Sequence, residues 1–168
     1  MYRIGNARDI HKLVPDRKLF IGTIEIPFDK GLLGHSDGDC LTHAIVNAII
    51  GAMGLGDIGK FFPDNDPKYK DISSSYFLKE IKKELEKNHY EIVNIDSIVM
   101  LEKPILRPYI DSMVESIANI LGIEKEKVNV KATRGEGLGF IGEGLGIEAR
   151  AVCLLKKSGL IKIKNEKL

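Results

Sequence analysis

Three stretches of this chain carry apolar residues at helical spacing along one face, and that repeated one-sidedness limits the folds open to it. The first runs Leu41, Ala44, Ile45, Ala48, Ile49, Ala52 and Met53. The second, in SSSYFLKEIKKELEKN, runs Phe77, Ile81 and Leu85, with Lys and Glu on the wet side. The third runs Ile110, Met113, Ile117, Ile120 and Leu121, opened by Pro108 and followed by Gly122. A helix with one apolar stripe must lay that stripe on another element. The other patterned segments supply a sheet. Residues 2–11 and 18–28 read as strands, with a turn around Pro15 between them. EIVNIDSIVML, KVNVKAT and IEARAVCLLKK read as three more. The order is roughly ββαα(short)βαββ. That is α+β, a single sheet covered on one face by helices. The uncovered face would carry apolar residues such as Ile98 and Met100. Such a face needs a partner, so oligomers are expected.

The 168 residues suit one domain. A net charge of +1 gives no field for a polyanion, so nucleic acid is not an expected partner. No apolar run reaches the ~20 residues that a membrane helix needs. The opening MYRIGNARDIH lacks signal-peptide character, and a cytoplasmic location is expected. Cys40 and Cys153 read as free buried thiols of a reducing compartment. The repeat GEGLG at 135–139 and 142–146 contains Gly137-x-Gly139-x-x-Gly142, a formal dinucleotide fingerprint. That motif needs a helix after it, and here a strand follows. A glycine loop shaped for close backbone approach is the better reading. Ser36 followed by Asp39 resembles a capping box at the first helix. Residues 1–156 form the expected domain, and 157–168, ending in the basic GLIKIKNEKL, an expected frayed tail.

Three of the four histidines, His11, His35 and His43, fall between residues 11 and 43, with Asp9, Asp37 and Asp39 among them. Asp9-x-His11 sets both side chains on one side of an extended segment, because strand periodicity is two. His43 lies near the start of the first helix. One carboxylate and two imidazoles leave a fourth tetrahedral position open, as in catalytic zinc sites. Nitrogen donors tilt the choice from Mg²⁺ toward Zn²⁺. A plainer reading stands beside this one: an Asp-x-His pair on the surface, Asp37 and Asp39 as helix N-terminal acids, His35 solvated in its loop, and His89 structural at a helix end.

GLLGHSDGDCLTHAIVNAIIGAMGLGDIGKFFPDNDP, with RIG…DIH before it and KATRGEGLGF after it, resembles the 2-C-methyl-D-erythritol 2,4-cyclodiphosphate synthase family. The likeness runs from Arg3 to about Lys156. The SDGDxxxH run, the upstream Asp-x-His and the downstream FPDxD are specific as a set. The resemblance implies zinc, or a similar divalent cation, on Asp9, His11 and His43. It places His35 and Ser36 beside the reacting phosphates, with His35 as the catalytic candidate. Asp57, Gly59, Phe62, Asp64 and Asp66 would surround the erythritol part. Leu101 to Arg107, Leu106 included, would read the cytosine, and Ala132 and Thr133 would start the loop at the nucleotide phosphates. Glu136 would help hold a second ion, Mg²⁺ or Mn²⁺, and Phe140 matches the family's aromatic after LG. The implied reaction closes 4-diphosphocytidyl-2-C-methyl-D-erythritol 2-phosphate into the cyclic diphosphate and releases CMP. The implied assembly is a homotrimer packed through the other sheet face, with active sites between subunits.

Three departures from the family pattern stand out. Ala7 and Arg8 precede the Asp-x-His where the family has Gly and an aromatic, and Arg8 reads as a solvent-facing side chain. Arg134 replaces a hydroxyl residue; a guanidinium is the stronger phosphate partner. Glu143 stands where an Arg often holds an isoprenoid diphosphate on the trimer axis, so such anions are not expected there. The alternative these departures leave is a catalytically weakened zinc- and nucleotide-binding relic of the same fold.

Overall fold

The computed structural model describes residues 1–158; residues 159–168, most of the expected tail, lie outside the described residues. Four strands come first: β1 (Tyr2–Pro15), β2 (Leu19–Ile21), β3 (Ile24–Ile26) and β4 (Lys30–Leu32). Helix α1 (Cys40–Met53), the one-turn α2 (Ile58–Phe61) and α3 (Ser75–Lys87) follow. The chain ends with β5 (Tyr90–Met100), α4 (Ile110–Leu121), β6 (Val128–Thr133), the one-turn α5 (Gly139–Gly142) and β7 (Gly146–Lys157). The main sheet has the order β4-β1-β7-β5-β6, and β2 and β3 form a separate hairpin. The β5–β6 pair is parallel and the other main-sheet pairs are antiparallel. This is the expected α+β sheet. No helix among the described residues is long and apolar enough to cross a membrane.

One local expectation shifts and two give way. The turn comes just after Pro15, at Asp16 and Arg17, because β1 leaves β7 at Lys12 and runs on to pair Leu13–Pro15 with β4. Residues 18–28 are not one strand, because Gly22 and Thr23 both take positive φ and close a two-residue hairpin. A Gly-Thr turn lacks the Asn-Gly signature that would have announced it. The cap of α1 is Asp39, not Ser36. The fully buried Asp39 carboxylate accepts from the N–H groups of Gly22, Thr23 and Thr42 and from the Thr42 hydroxyl. One side chain thus ties the hairpin turn to the helix start, with more acceptor capacity than Ser36 has.

Helix α1 is also less one-sided than its pattern suggested: 11 of its 14 residues are buried. It lies between β1 and β7 on one side and α3 on the other. At Gly5 of β1 the helix comes so close that a Cβ would collide with Ala48 O and Ala52 N. Burying each large aliphatic side chain of this core contributes about 1.5–3 kcal/mol. The far face of the sheet is uncovered. Ile4 (72%), Ile10 (40%) and Val152 (42%) are exposed there, and Ile98 and Met100 are half-buried. In its middle, buried Glu148 accepts from Arg8 and Arg150, each at 2.7 Å. Arg8 is therefore not a free surface cation, although half of its side chain meets solvent.

Candidate active site

Because β1, β5 and β6 point the same way, their C-terminal ends meet at one end of the sheet, where β7 begins. Asp9 and His11, Leu101 and Glu102, and Thr133 to Glu136 all fall there. Helix α1 runs antiparallel to β1, with Arg3 Nε bonded to Ala52 O at its far end. Its first turn, carrying His43, therefore lies over Asp9 and His11.

Asp9 Oδ2 sits 2.9 Å from His11 Nε2 and 3.2 Å from His43 Nδ1, and the two ring nitrogens are 3.3 Å apart. The three ligand atoms lie within 4.8 Å of one another, the one such His, Cys or carboxylate group among the described residues. His11 Nδ1 is 2.7 Å from Leu33 O. A carbonyl only accepts, so Nδ1 carries the proton in neutral imidazole and Nε2 turns a lone pair toward Asp9. A lone pair and a carboxylate oxygen at 2.9 Å repel unless a proton or a cation lies between them. The trio therefore fits a divalent cation. Burial works to raise the Asp9 pKa, yet with no cation between them the protonated rings of His11 and His43 would donate to it and hold it far below the ordinary range. Burial likewise works to lower that of His11, and its bond to Asp9 raises it on balance.

A cavity of about 260 Å³ opens beside the trio, lined by Asp9, His11, His35, Ser36, His43, Phe62 and Asp64 of the expected residues. His35 Nε2 is 3.1 Å from Asp66 O, tying the two loops across it. Phe62 is buried and packs on Phe77, with ring centroids 4.6 Å apart. Asp57, Gly59 and Asp66 do not line this cavity. Asp57 caps α2 and Asp66 caps the 3-10 turn Pro67–Tyr69.

A second cavity of about 410 Å³ lies along β5 and β6, lined by Leu101, Glu102, Leu106, Ala132, Thr133 and Arg134 among others. It shares no residue with the first. The register sets Asp9 opposite Ala149, Ala149 opposite Val99 and Val99 opposite Ala132. Three strand spacings separate the two cavities, roughly 14 Å. Glu136 and Phe140 line neither cavity. Glu136 is exposed at positive φ, and Phe140 packs beside Gly146. The thiols take no part: Cys40 and Cys153 are buried, and burial pushes Cys153 up to about 12.

Several lining residues carried no motif. Asn47 lies four residues after His43, so helical spacing could have placed it on the same face. Its Oδ1 accepts from Ile58 N at 2.9 Å and sets where α2 begins. Glu102 holds the Arg134 guanidinium at 2.7 Å and accepts from Gly135 N at 3.1 Å. That pairing joins residues 32 positions apart and left no local signal.

Fold and site together define a mixed α+β sheet with a metal-capable pocket and a separate apolar-floored cavity at one end. The YgbB family model matches residues 2–156, and the chain belongs to the YgbB family. It is 55% identical over 155 residues to the 2-C-methyl-D-erythritol 2,4-cyclodiphosphate synthase of Clostridium novyi, covering 92% of this chain and 99% of that one. Among solved structures it resembles the bifunctional IspDF of Campylobacter jejuni, at TM-score 0.90 and 38% identity over 94% of this chain and 43% of that longer one. It also resembles Plasmodium falciparum IspF in complex with CDP, at TM-score 0.83 and 34% identity over 94% of this chain and 97% of that one.

Proposed function

We propose that this protein is a cyclodiphosphate synthase of isoprenoid precursor synthesis, using zinc and a second divalent ion. Its substrate is 4-diphosphocytidyl-2-C-methyl-D-erythritol 2-phosphate. An oxygen of the 2-phosphate forms a bond to the β-phosphorus, the bond from that phosphorus to the bridging oxygen breaks, and CMP leaves with the bridging oxygen. The observation that carries this reading is the convergence of Asp9, His11 and His43 on one point, with the His11 Nε2 lone pair turned inward. The high identity to synthases named for this cyclic diphosphate adds the product.

The chemistry needs little proton transfer, so holding the reacting groups in line is the main task. Asp9, His11 and His43 would hold the zinc ion. Bound there, it would cancel phosphate charge as a Lewis acid and template. Glu136 would share Mg²⁺ or Mn²⁺ with the diphosphate. His35 and Ser36 would line the path of the 2-phosphate. Asp57, Gly59, Phe62, Asp64 and Asp66 would orient the erythritol, and Leu101 and Leu106 the cytosine. Ala132, Thr133 and Arg134 would meet the nucleotide phosphates, with Phe140 beyond them.

The assembly we propose is a homotrimer, closed by head-to-tail contacts. The cavities lie three strands apart in one sheet and share no residue, so a neighbour's cavity would complete each site. The uncovered apolar face with Ile4, Ile10 and Val152 would turn inward. Residues 1–156 would form the whole catalytic unit.

The test is release of CMP from that substrate with Zn²⁺ and Mg²⁺ present, with phosphorus NMR of the product. A cyclic diphosphate is expected. A linear bisphosphate would instead indicate hydrolysis.

A further inference from the structure

His43 meets the trio with one ring nitrogen and a buried hydroxyl with the other. Nδ1 faces Asp9, whereas Nε2 lies 2.9 Å from Ser74 Oγ and 3.1 Å from Ser36 Oγ. Ser74 is fully buried just ahead of α3. Its hydroxyl donates to Asp37 Oδ1, and its backbone N–H donates to Asp37 Oδ2 at 2.7 Å. A hydroxyl has a single proton to give. Ser74 gives that proton to Asp37, so toward His43 its oxygen can only accept. The proton of His43 therefore sits on Nε2, and Nδ1 keeps its lone pair toward Asp9 and His11.

We propose that Ser74 and Asp37 are positioning residues for the ion, holding His43 in the orientation and tautomer that bind through Nδ1. This rests on reading the trio as a metal site. Neither residue touches the trio's centre; both act through His43. The contact also joins two loops. Asp71 N donates to His35 O at 2.8 Å, and Asp37 N donates to Ile72 O at 3.1 Å. The loop bearing His35 and Ser36 and the segment leading from Phe62 to α3 are thus fastened at the point where His43 is oriented. Asp37 is not a helix-terminal acid as the sequence suggested; its carboxylate serves Ser74 and the Asp39 N–H.

The experiment uses metal-free full-length protein titrated with Zn²⁺ against a chromophoric chelator, and Co²⁺ absorption spectra of the same samples. Wild type is expected to bind one tight ion per chain. Ser74→Ala should weaken Zn²⁺ by about 10–100-fold, the usual effect of losing an outer partner of a ligating histidine. It should also shift the visible Co²⁺ bands, which a merely structural serine would not do. Ser74→Thr, which keeps the hydroxyl, should recover most of the affinity. Wild-type affinity and an unchanged Co²⁺ spectrum in Ser74→Ala would overturn the proposal. If Ser74→Ala does not fold, Asp37→Asn carries the test, and an unchanged affinity there overturns it equally. Failure of wild type to bind any ion would overturn the metal reading itself, a separate outcome.

Discussion

The two cavities at the strand ends are built on different plans. The one beside Asp9 is a cage of committed polar groups. His11 is fixed by Leu33 O, His43 by Ser36 and Ser74, and His35 by Asp66 O. The cavity along β5 and β6 has a buried apolar floor of Leu101, Leu106 and Val130 and an open rim, with Ile105 74% exposed. Its walls carry the Glu102–Arg134 pair, and the Arg134 side chain is largely in solvent. A divalent cation needs acceptors held at set distances before it arrives, because each ligand that must be reoriented weakens binding. A base and its phosphates need an apolar platform and a cation that can follow them. Both pockets are lined by residues of one chain, the first close around its ligand atoms and the second broader, about 410 against 260 Å³.

The largest effect should come from the first pocket. Asp9→Asn is expected to remove zinc and CMP release together, by more than the ~100-fold ceiling typical of outer partners. Elemental analysis and turnover on the same sample check this, and retained zinc would strike Asp9 from the ligands. The next experiment tests the separation directly. Ala132→Trp should fill the second cavity and abolish turnover while zinc stays bound. Asp9→Asn and Ala132→Trp chains, each inactive, are then assembled together at equal amounts. If every site draws one cavity from each of two neighbours, about one quarter of the sites are intact and activity returns to that level. No recovery in mixed assemblies would place the whole reaction inside one chain.

How much of this contrast was readable in the sequence follows the same division. Asp9-x-His11 declared itself through the period of a strand, and His43 through its place in an amphipathic helix. Spacing alone left them as decoration or ligands, since only folding shows that Leu33 O turns the His11 lone pair inward. The helices and most strands were equally legible. The Gly22–Thr23 hairpin was not, because its positive φ angles are sustained from afar by Asp39 and by Ser116, whose hydroxyl meets that of Thr23. The second cavity was visible only by family likeness. Its walls are strand ends and loop backbone, and the Glu102–Arg134 ion pair on them crosses 32 residues. Ser74 went unnoticed among three consecutive serines for the same reason: its partners are 31 and 37 positions away.

A third prediction probes the rigidity of the first pocket. Asp39→Ala removes a helix cap and leaves three buried or half-buried N–H groups short of an acceptor. Losing the cap costs about 1–2 kcal/mol, and unsatisfied donors add a similar amount. A loss of roughly 2–4 kcal/mol corresponds to a fall in Tm of roughly 4–16 °C for a chain of this size. Calorimetry checks it. A fall below a degree would show that the hairpin and α1 hold together without this clamp, and that the cage owes its order to packing alone.

The smallest effect should come from the open rim. Arg134→Ala breaks only a contact with Glu102 at the surface, so the Tm should hardly move. If the guanidinium leaves Glu102 to meet a phosphate, kcat/KM should drop about tenfold, with less of a drop at high salt, as a charge-assisted contact requires. Glu102→Gln is the informative companion. Gln can still accept from Gly135 N, so the turn keeps its shape while its hold on Arg134 weakens. Glu102 sits below the ordinary carboxylate range because Arg134 donates to it, so the pair persists at neutral pH and weakens as the carboxyl protonates in acid. Freed by Gln at neutral pH, Arg134 should serve substrate at least as well as before. A tenfold loss in Glu102→Gln would mean that Glu102 holds the guanidinium in its working position. Unchanged kcat/KM in Arg134→Ala would mean that Arg134 stays with Glu102 throughout, and that the apolar floor and the neighbour's residues hold the nucleotide without it.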